Sequence, residues 1–361
     1  MKNPLRFLTL FGLMVLFHPQ MNAETEIQND TMTSEFSELN YAVHTAEFIN
    51  VRPKLAEVSR IPTIGGVVNF RYQFDELNDI SNFDIRRARL DMRGKATHNF
   101  DYRLVGDFGG RGARLIDVYI QWQISENIAL LAGQYKIPIT LEGTYSFAEL
   151  EMIDFSLPIR NMLNYNDRLA DVTGSSRRDI GVSLRGTLFQ REDYSLINYF
   201  FGVFNGSGIN RADINKAKDF CGLLTVNPFK HLSLVVSHYN GTAGQQDSTF
   251  LRNRSAVGAR YDDGRFLLRS EYVWAKTGTQ KSNGIYAIAG YFVRPKIRFT
   301  ARYDTFQSDM NVPNNETLQQ NYTIGINYFP TNRSVLQLNY TRQTFRHDAG
   351  NHIAAQVWIR F

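Results

Sequence analysis

Hydrophobic and polar residues alternate at every second position over many short stretches of this chain. Ala88, Leu90 and Met92 share one parity, and the other parity of the same stretch, 87–95, holds five charged residues. The same division recurs at 116–123 and, far along the chain, at 297–304. A period of two predicts β-strands, and five charges on one face cannot point into hydrocarbon. The pattern therefore predicts strands that separate lipid from an aqueous interior.

This pattern predicts an all-β fold, a transmembrane antiparallel β-barrel of about 16 strands that spans 62–361. Short turns follow every second predicted strand, and most other connections are longer. Barrels of this class have short periplasmic turns and long external loops, so both chain ends are expected in the periplasm. The predicted strands lie near 64–74, 84–96, 100–109, 114–124, 127–136, 178–189, 194–205, 218–227, 231–241, 253–261, 264–275, 284–294, 296–306, 320–329, 333–345 and 351–361.

The last predicted strand indicates how the barrel closes. Its apolar parity ends at Phe361. An unpaired edge in lipid leaves backbone groups unsatisfied, so this strand is expected to pair with the first. We also expect the barrel-assembly machinery to bind the Phe361 strand, and outer-membrane lipid and lipopolysaccharide to surround the apolar face.

The first residues indicate export. Lys2 and Arg6 precede an apolar run at 7–17, and Ala23 is the small residue that a signal peptidase requires, so 1–23 is predicted to be a signal peptide. Residues 24–61 do not continue the strand pattern. They are predicted to form an N-terminal periplasmic leader, as a short helix or a disordered segment. The sequence offers no uncharged stretch of the ~18 to 20 residues that a transmembrane helix needs.

Composition constrains the partners. Hydrophobic residues make up 43% and aromatic residues 13% of the chain, which suits alternating strands between aromatic girdles. Without Lys2 and Arg6, 38 basic residues stand against 35 acidic ones, and this balance argues against nucleic acid as a partner. The single Cys221 cannot form an internal disulfide. No metal and no cofactor is expected.

One predicted connection, 137–177, is far longer than the others. Loops of this length are functional or disordered. Its apolar residues Phe147, Leu150, Ile153 and Leu157 are spaced for short helical turns and need burial. The sequence therefore predicts an inward-folded third external loop that narrows the pore, and the alternative is an external lid or a subunit-contact loop. The candidates for the constriction are Arg160, Arg168, Arg177 and Arg178.

Several motifs together resemble those of the phosphate-selective porin O and P family. They are the runs FDIRRARL at 83–90, DVYI at 117–120, GQYKIP at 133–138 and GVFNGSG at 202–208, followed by KD at 218–219 and RYD at 302–304. They occur in the family's order and cover the chain from about 62 to 361. The resemblance implies a sixteen-stranded barrel, a homotrimer, and a basic lumen that guides anions such as phosphate or polyphosphate to a constriction.

Basic residues on the polar parities are candidates for this lumen. Guanidinium donors match two phosphate oxygens at once, and successive weak sites allow passage without trapping. Acidic residues such as Asp91, Asp117 and Asp304 share these parities. The alternative role of the arginines is therefore to brace the wall through ion pairs. The pore-lining candidates for anion guidance are Arg71, Arg87, Arg89, Arg93, Lys95, Arg103, Lys136, Arg185, Arg260, Arg269, Arg298 and Arg302.

The sequence thus predicts a passive porin for small hydrophilic solutes in the bacterial outer membrane, not an enzyme. The alternative is a general pore that does not select among solutes. An outer-membrane hydrolase would need a nucleophile and a base within hydrogen-bond reach. Ser237 and His238 are neighbours in one strand and face opposite sides, which disfavours such a dyad. A surface β-protein that binds glycans would not explain the terminal Phe361 or the alternating connection lengths.

Overall fold

In a computed structural model, sixteen antiparallel strands of the described residues close into one barrel. The structure describes residues 61–110, 112–163, 166–167, 172–173, 177–213, 215–245 and 248–361. The predicted signal peptide (1–23) and all of the predicted leader except its last residue lie outside these ranges, as does Arg168. The transmembrane barrel predicted from the alternating pattern is confirmed.

The barrel strands follow one another around the wall, with a long connection between the fifth and the sixth. That connection, 137–177, is called the long loop below, and it holds the two-residue strands β6 and β7 and the helices α1 (Leu141–Thr144) and α2 (Leu157–Met162). Helix α3 covers Asn314–Thr317. No described helix has both the length and the apolar character needed to cross a bilayer. The strands are β1 (Thr63–Asp75), β2 (Ile80–Lys95), β3 (Phe100–Asp107), β4 (Arg114–Ser125), β5 (Ile128–Lys136), β6 (Asn166–Asp167), β7 (Val172–Thr173), β8 (Arg178–Gln190), β9 (Ser195–Phe204), β10 (Asp219–Phe229), β11 (Leu232–Gln245), β12 (Ser248–Asp262), β13 (Phe266–Thr277), β14 (Gln280–Arg294), β15 (Ile297–Gln307), β16 (Leu318–Thr331), β17 (Ser334–Phe345) and β18 (Asp348–Arg360).

The barrel closes between its first and last strands. Strand β18 pairs antiparallel with β1, from Val67 opposite Arg360 to Asp75 opposite His352. Beyond the last strand residue, the backbone N–H of Phe361 donates to Gly66 O at 3.1 Å, and Gly66 N–H donates to Phe361 O at 3.0 Å. The predicted pairing of the first and last strands is confirmed, and it removes the open edge.

The two faces of the wall differ as the alternation predicts. The side chains of Leu90, Ile120 and Phe299 are 47%, 55% and 50% exposed, although all three are large and apolar. Their neighbours on the other parity are half-buried or buried, and Gln121 and Thr300 are each 5% exposed. Apolar side chains that face outward in every strand form the surface that lipid covers in a transmembrane barrel.

Several strands extend further than the sequence predicts. Strand β12 begins at Ser248 instead of near 253, and the connection predicted at 276–283 shrinks to residues 278–279 between β13 and β14. At these ends the outward parity also becomes polar, as at Lys276 and Lys281, so the apolar signal stops. The backbone ladder continues past that point because it does not depend on side-chain polarity.

Replacing Ile120 with arginine should destabilise the folded barrel, because the new charge faces the apolar band. We expect a loss of ~2 to 4 kcal/mol, the magnitude typical of arginine near the bilayer midplane. The measurement is equilibrium urea unfolding in lipid vesicles. Gln123→Arg, on the polar parity of the same strand, is the matched control and should cost much less. Equal losses in both variants would contradict the assignment of the two faces.

Candidate pore and its loop

The long loop begins with the short helix α1. The wall binds the first backbone N–H groups of this helix. Thr140 precedes α1 and its hydroxyl accepts the N–H of Gly143 at 2.9 Å. The Glu271 carboxylate of β13 accepts the N–H groups of Leu141 at 2.5 Å and Glu142 at 2.8 Å. The first N–H groups of a helix have no partner within it, so Glu271 satisfies donors that would otherwise be buried unpaired.

Arg269 forms the most deeply buried ionic contact of the loop. Its side chain is 0% exposed and bridges two loop carboxylates, Glu151 at 2.8 Å and Glu142 at 3.3 Å. Burial raises the pKa of Glu151, but the charges of Arg269, Arg298 and Arg260 together hold this pKa below its usual range. The guanidinium also lies 4.6 Å from the ring centroid of Tyr145. A buried charge is tolerated only when paired, so the three charged groups depend on one another.

Neutral amides of the next strands hold the loop backbone. Gln337 donates to Leu150 O at 3.0 Å, Asn327 donates to Glu151 O at 2.9 Å, and Asn339 accepts the N–H of Ile153 at 2.7 Å. Backbone groups of a segment without regular structure need such partners when they are buried. The amides therefore give the backbone of residues 150–153 the hydrogen-bond partners that a neighbouring strand would give in a sheet.

Asp154 links the loop to the first strands of the barrel. Its carboxylate pairs with Arg86 and lies 3.7 Å from Arg71, while Arg302 donates to its backbone carbonyl at 2.7 Å. Burial raises the pKa of this carboxyl, but the charges of Arg86 and Arg71 together outweigh it and hold the pKa far below its usual range. Asp154 is therefore ionised at all physiological pH values.

Helix α2 packs closely on strands β14 to β16. The N–H of Leu157 donates to Asp304 at 2.7 Å, and Met162 O accepts from Arg254 at 2.9 Å. A Cβ added at Gly284 would lie 2.8 Å from Pro158 Cβ. The missing side chain at Gly284 is what lets the helix approach the wall.

Two loop phenylalanines form a platform for guanidinium groups. Phe147 and Phe155 meet edge to face at 4.6 Å. Arg87 lies 3.9 Å from the centroid of Phe147, and Arg177 lies 4.6 Å from that of Phe155. Contact with a ring face stabilises a cation and leaves its charge in place.

The predicted pore-lining residues, together with the constriction candidates Arg178 and Arg160, fall into three groups by their partners. In the first, Arg71, Arg87, Arg269 and Arg302 contact the loop as described above, and Lys136 donates to Tyr145 O at 2.6 Å. The second group pairs with carboxylates of the wall or its turns. Its members are Arg89 with Asp107 at 2.9 Å, Arg93 and Arg103 (2.9 Å) with Asp91, Arg178 with Asp117 at 2.7 Å, and Arg260 with Asp262 at 2.5 Å.

The third group meets other kinds of neighbour. Arg185 donates to the amide oxygen of Gln121, and Arg298 lies over the rings of Phe292 and Phe329, 5.4 Å from each centroid. Lys95 forms no ion pair with the described residues. Arg160, one of the constriction candidates, is exposed on α2.

Sequence reasoning missed three arginines of the same face. Arg86 reaches the loop because a bulge between Asn69 and Phe70 places one extra residue in β2. Arg252 pairs with Asp219 at 2.8 Å, and Arg254 binds the loop through Met162. Arg252 and Arg254 lie on the parity of Arg260. Arg254 was already within the predicted strand 253–261 and was overlooked there, and Arg252 would have been found by extending that strand by one residue.

Among the described residues, no group of three histidine, cysteine, aspartate or glutamate side chains is placed to hold a metal ion. No curated protein sequence matches this chain.

Solved structures of porins share the fold. An anion-selective porin from Comamonas acidovorans is 15% identical, covers 83% of this chain and 99% of its own, and superposes with a TM-score of 0.65. OmpF of Salmonella typhi, in complex with daunomycin, is 10% identical over 83% of this chain and 97% of its own, with a TM-score of 0.63. OmpT of Vibrio cholerae is 10% identical over 84% of this chain and 100% of its own, with a TM-score of 0.61.

A sequence family matches as well. Residues 65–240 match the family described as phosphate-selective porin O and P, which confirms the resemblance seen in the motifs. The family and the fold are those of a channel in the bacterial outer membrane. Over residues 65–240 the chain is therefore similar to the phosphate-selective porin O and P family.

Proposed function

We propose that this outer-membrane porin passes small hydrophilic solutes by passive diffusion and prefers anions, phosphate or polyphosphate among them. The observation that carries the proposal is the charge on one part of the wall. From residue 87 onward, the polar parity of β2 and β3 holds five basic and three acidic residues. This basic wall segment consists of Arg87, Arg89, Asp91, Arg93, Lys95, Asp101, Arg103 and Asp107.

Ion pairing within the basic wall segment leaves a net positive charge. Asp91 is shared by two guanidinium groups, those of Arg93 and Arg103, so one carboxylate faces two cations. The side chain of Arg93 is 52% exposed. An anion near this segment meets fixed positive charge and several N–H donors, which is what guides anions through a water-filled pore.

We further propose that the long loop folds inward and narrows the pore. Its contacts support this placement, because Glu142, Glu151 and Asp154 bind side chains of the polar parity on β1, β2 and β13. Arg71, Arg269 and Arg302 then brace the loop, Arg87 packs on the Phe147 ring of the loop, and the other residues of the basic wall segment remain for guidance. Both roles considered for the arginines are thus assigned, to different residues.

We also propose three kinds of partner: copies of the same chain, membrane lipids and the assembly machinery. A homotrimer is what the family resemblance implies, and an in-vitro folded OmpT of Vibrio cholerae is itself described in a trimer form. We propose that lipid and lipopolysaccharide surround the apolar face, and that the assembly machinery binds the strand ending at Phe361.

We propose no enzymatic activity for this chain. Ser237 is buried and donates to Ile139 O of the loop, while His238 is on the opposite, lipid-facing parity beside Ser255 at 2.8 Å. This separation supports the argument against a Ser–His dyad. A general, non-selective pore is the alternative, and it would lack the charge preference tested next.

Removing two charges from the basic wall segment should lower anion preference. In Arg93→Gln/Arg103→Gln, Asp91 loses both partners, and we expect the chloride-over-potassium permeability ratio to fall about twofold for each charge lost at ~8 Å through water. Reversal potentials in a KCl gradient, with and without added phosphate, measure the ratio. Arg265→Gln/Arg294→Gln removes the same charge outside this segment and should leave the permeability ratio almost unchanged. An unchanged ratio in the first variant would support a bracing role only.

Replacing Arg269 with leucine should free the loop. Glu142 and Glu151 would lose the buried guanidinium that both of them contact, a loss of ~3 to 5 kcal/mol for a broken buried pair. We expect protease cleavage within 141–163 and a lower urea midpoint. Arg265→Leu, at an exposed turn, is the control. A loop that stays protected in Arg269→Leu would refute its anchoring by this residue.

The loop should stay attached in mild acid. A carboxyl with a lowered pKa contributes stability that is present above its ordinary pKa and is lost only as pH falls through the lowered value. Because the pKa of Asp154 is far below its usual range, Asp154→Asn should raise single-channel noise by the same factor at pH 7 and at pH 4. An effect of the substitution that disappears at pH 4 would exclude Asp154 as an anchor that stays ionised.

A further inference from the structure

The outer surface of the barrel carries a pair of lysines in direct cross-strand register. Lys276 of β13 lies opposite Lys281 of β14, and both side chains are exposed on the outward parity. Like charges opposite each other in a sheet destabilise it, since their side chains lie only ~5 Å apart at Cβ. Among the residues that the structure describes, neither lysine forms an ion pair. An anion between the two ammonium groups would remove this repulsion.

The position of the pair relative to the apolar band indicates which anion is available. One step nearer the band, Trp274 and Tyr272 stack at 5.6 Å and are 40% and 39% exposed on the same face. Aromatic side chains of this kind mark the level of the lipid headgroups. Lys276 and Lys281 lie just beyond them, at the barrel end that also carries the long loop.

The neighbouring polar groups complete a surface suited to a headgroup. Asn283 lies opposite Trp274 and donates to the hydroxyl of Tyr272 at 3.2 Å, and Asn253 lies opposite Lys276 on the outward parity of β12. Amide and phenol groups next to paired ammonium groups can bind phosphate and sugar oxygens together. Below them, the aromatic rings offer an apolar surface to acyl chains.

We propose that Lys276 and Lys281 bind a phosphate group of lipopolysaccharide in the outer leaflet. Long loops and the lipopolysaccharide leaflet both belong to the external side of such barrels, so the pair and its ligand are at the same level. Basic clusters beside the membrane surface bind anionic lipid headgroups through this attraction. The site is on the outer wall, so the proposal stands whether or not the pore selects anions.

The test uses the full-length protein in detergent and bisphosphorylated lipid A as the probe, with binding followed by native mass spectrometry. Lys276→Gln/Lys281→Gln should weaken lipid A binding tenfold or more, roughly as expected for two charges at a membrane surface. Lys276→Arg/Lys281→Arg should retain it. The control Lys230→Gln/Lys296→Gln removes two lysines at the opposite end of the barrel and should bind like the unchanged protein. Heat-modifiable migration on a denaturing gel verifies that each variant is folded.

Three results would overturn the proposal. Lipid A could bind the Lys276→Gln/Lys281→Gln variant as tightly as the control. Lipid A without its phosphates could bind the unchanged protein equally well, which would assign binding to the acyl chains. Inorganic phosphate alone could compete at the concentration of lipid A, which would identify a site for soluble anions instead.

Discussion

The hydrogen bonding of the backbone in lipid is the constraint on which the rest of this structure depends. Hydrocarbon offers no partners to N–H and C=O groups, so each strand must pair on both sides. The chain meets this requirement by pairing β18 with β1 and by extending the ladder through Phe361 and Gly66. Once the ladder is fixed, side chains alternate between lipid and interior, and most charges of the wall are directed to the interior.

Concentrating the charges on the inner face creates a second requirement, because buried ions need partners. The wall supplies some of them itself, as in the pair of Arg89 and Asp107. The long loop supplies the others, since Glu142, Glu151 and Asp154 reach arginines of β1, β2 and β13. The loop has little regular structure of its own, and its backbone is satisfied by amides of the wall. Wall and loop therefore complete each other's polar groups.

The sequence predicts the wall well because the signal is local. A period of two can be recognised within ten residues, and it gave all sixteen barrel strands and the pairing of the last with the first. The partners of individual arginines are not local. Arg269 was predicted on the polar face, but its contacts with Glu142 and Glu151 join residues more than a hundred positions apart. Arg86 was missed for another reason, since a bulge interrupts the alternation that the prediction used.

Bracing and guidance need not exclude each other within one arginine ladder. Where a carboxylate binds one guanidinium deep in the wall, as with Arg302 and Asp304, the charges cancel and the pair contributes rigidity. Where one carboxylate serves two guanidiniums, as Asp91 serves Arg93 and Arg103, half of the positive charge is left uncompensated. An anion then competes with a carboxylate that is already bound, so its own binding is weak. Weak binding is what conduction requires, because a solute must leave each site as readily as it enters.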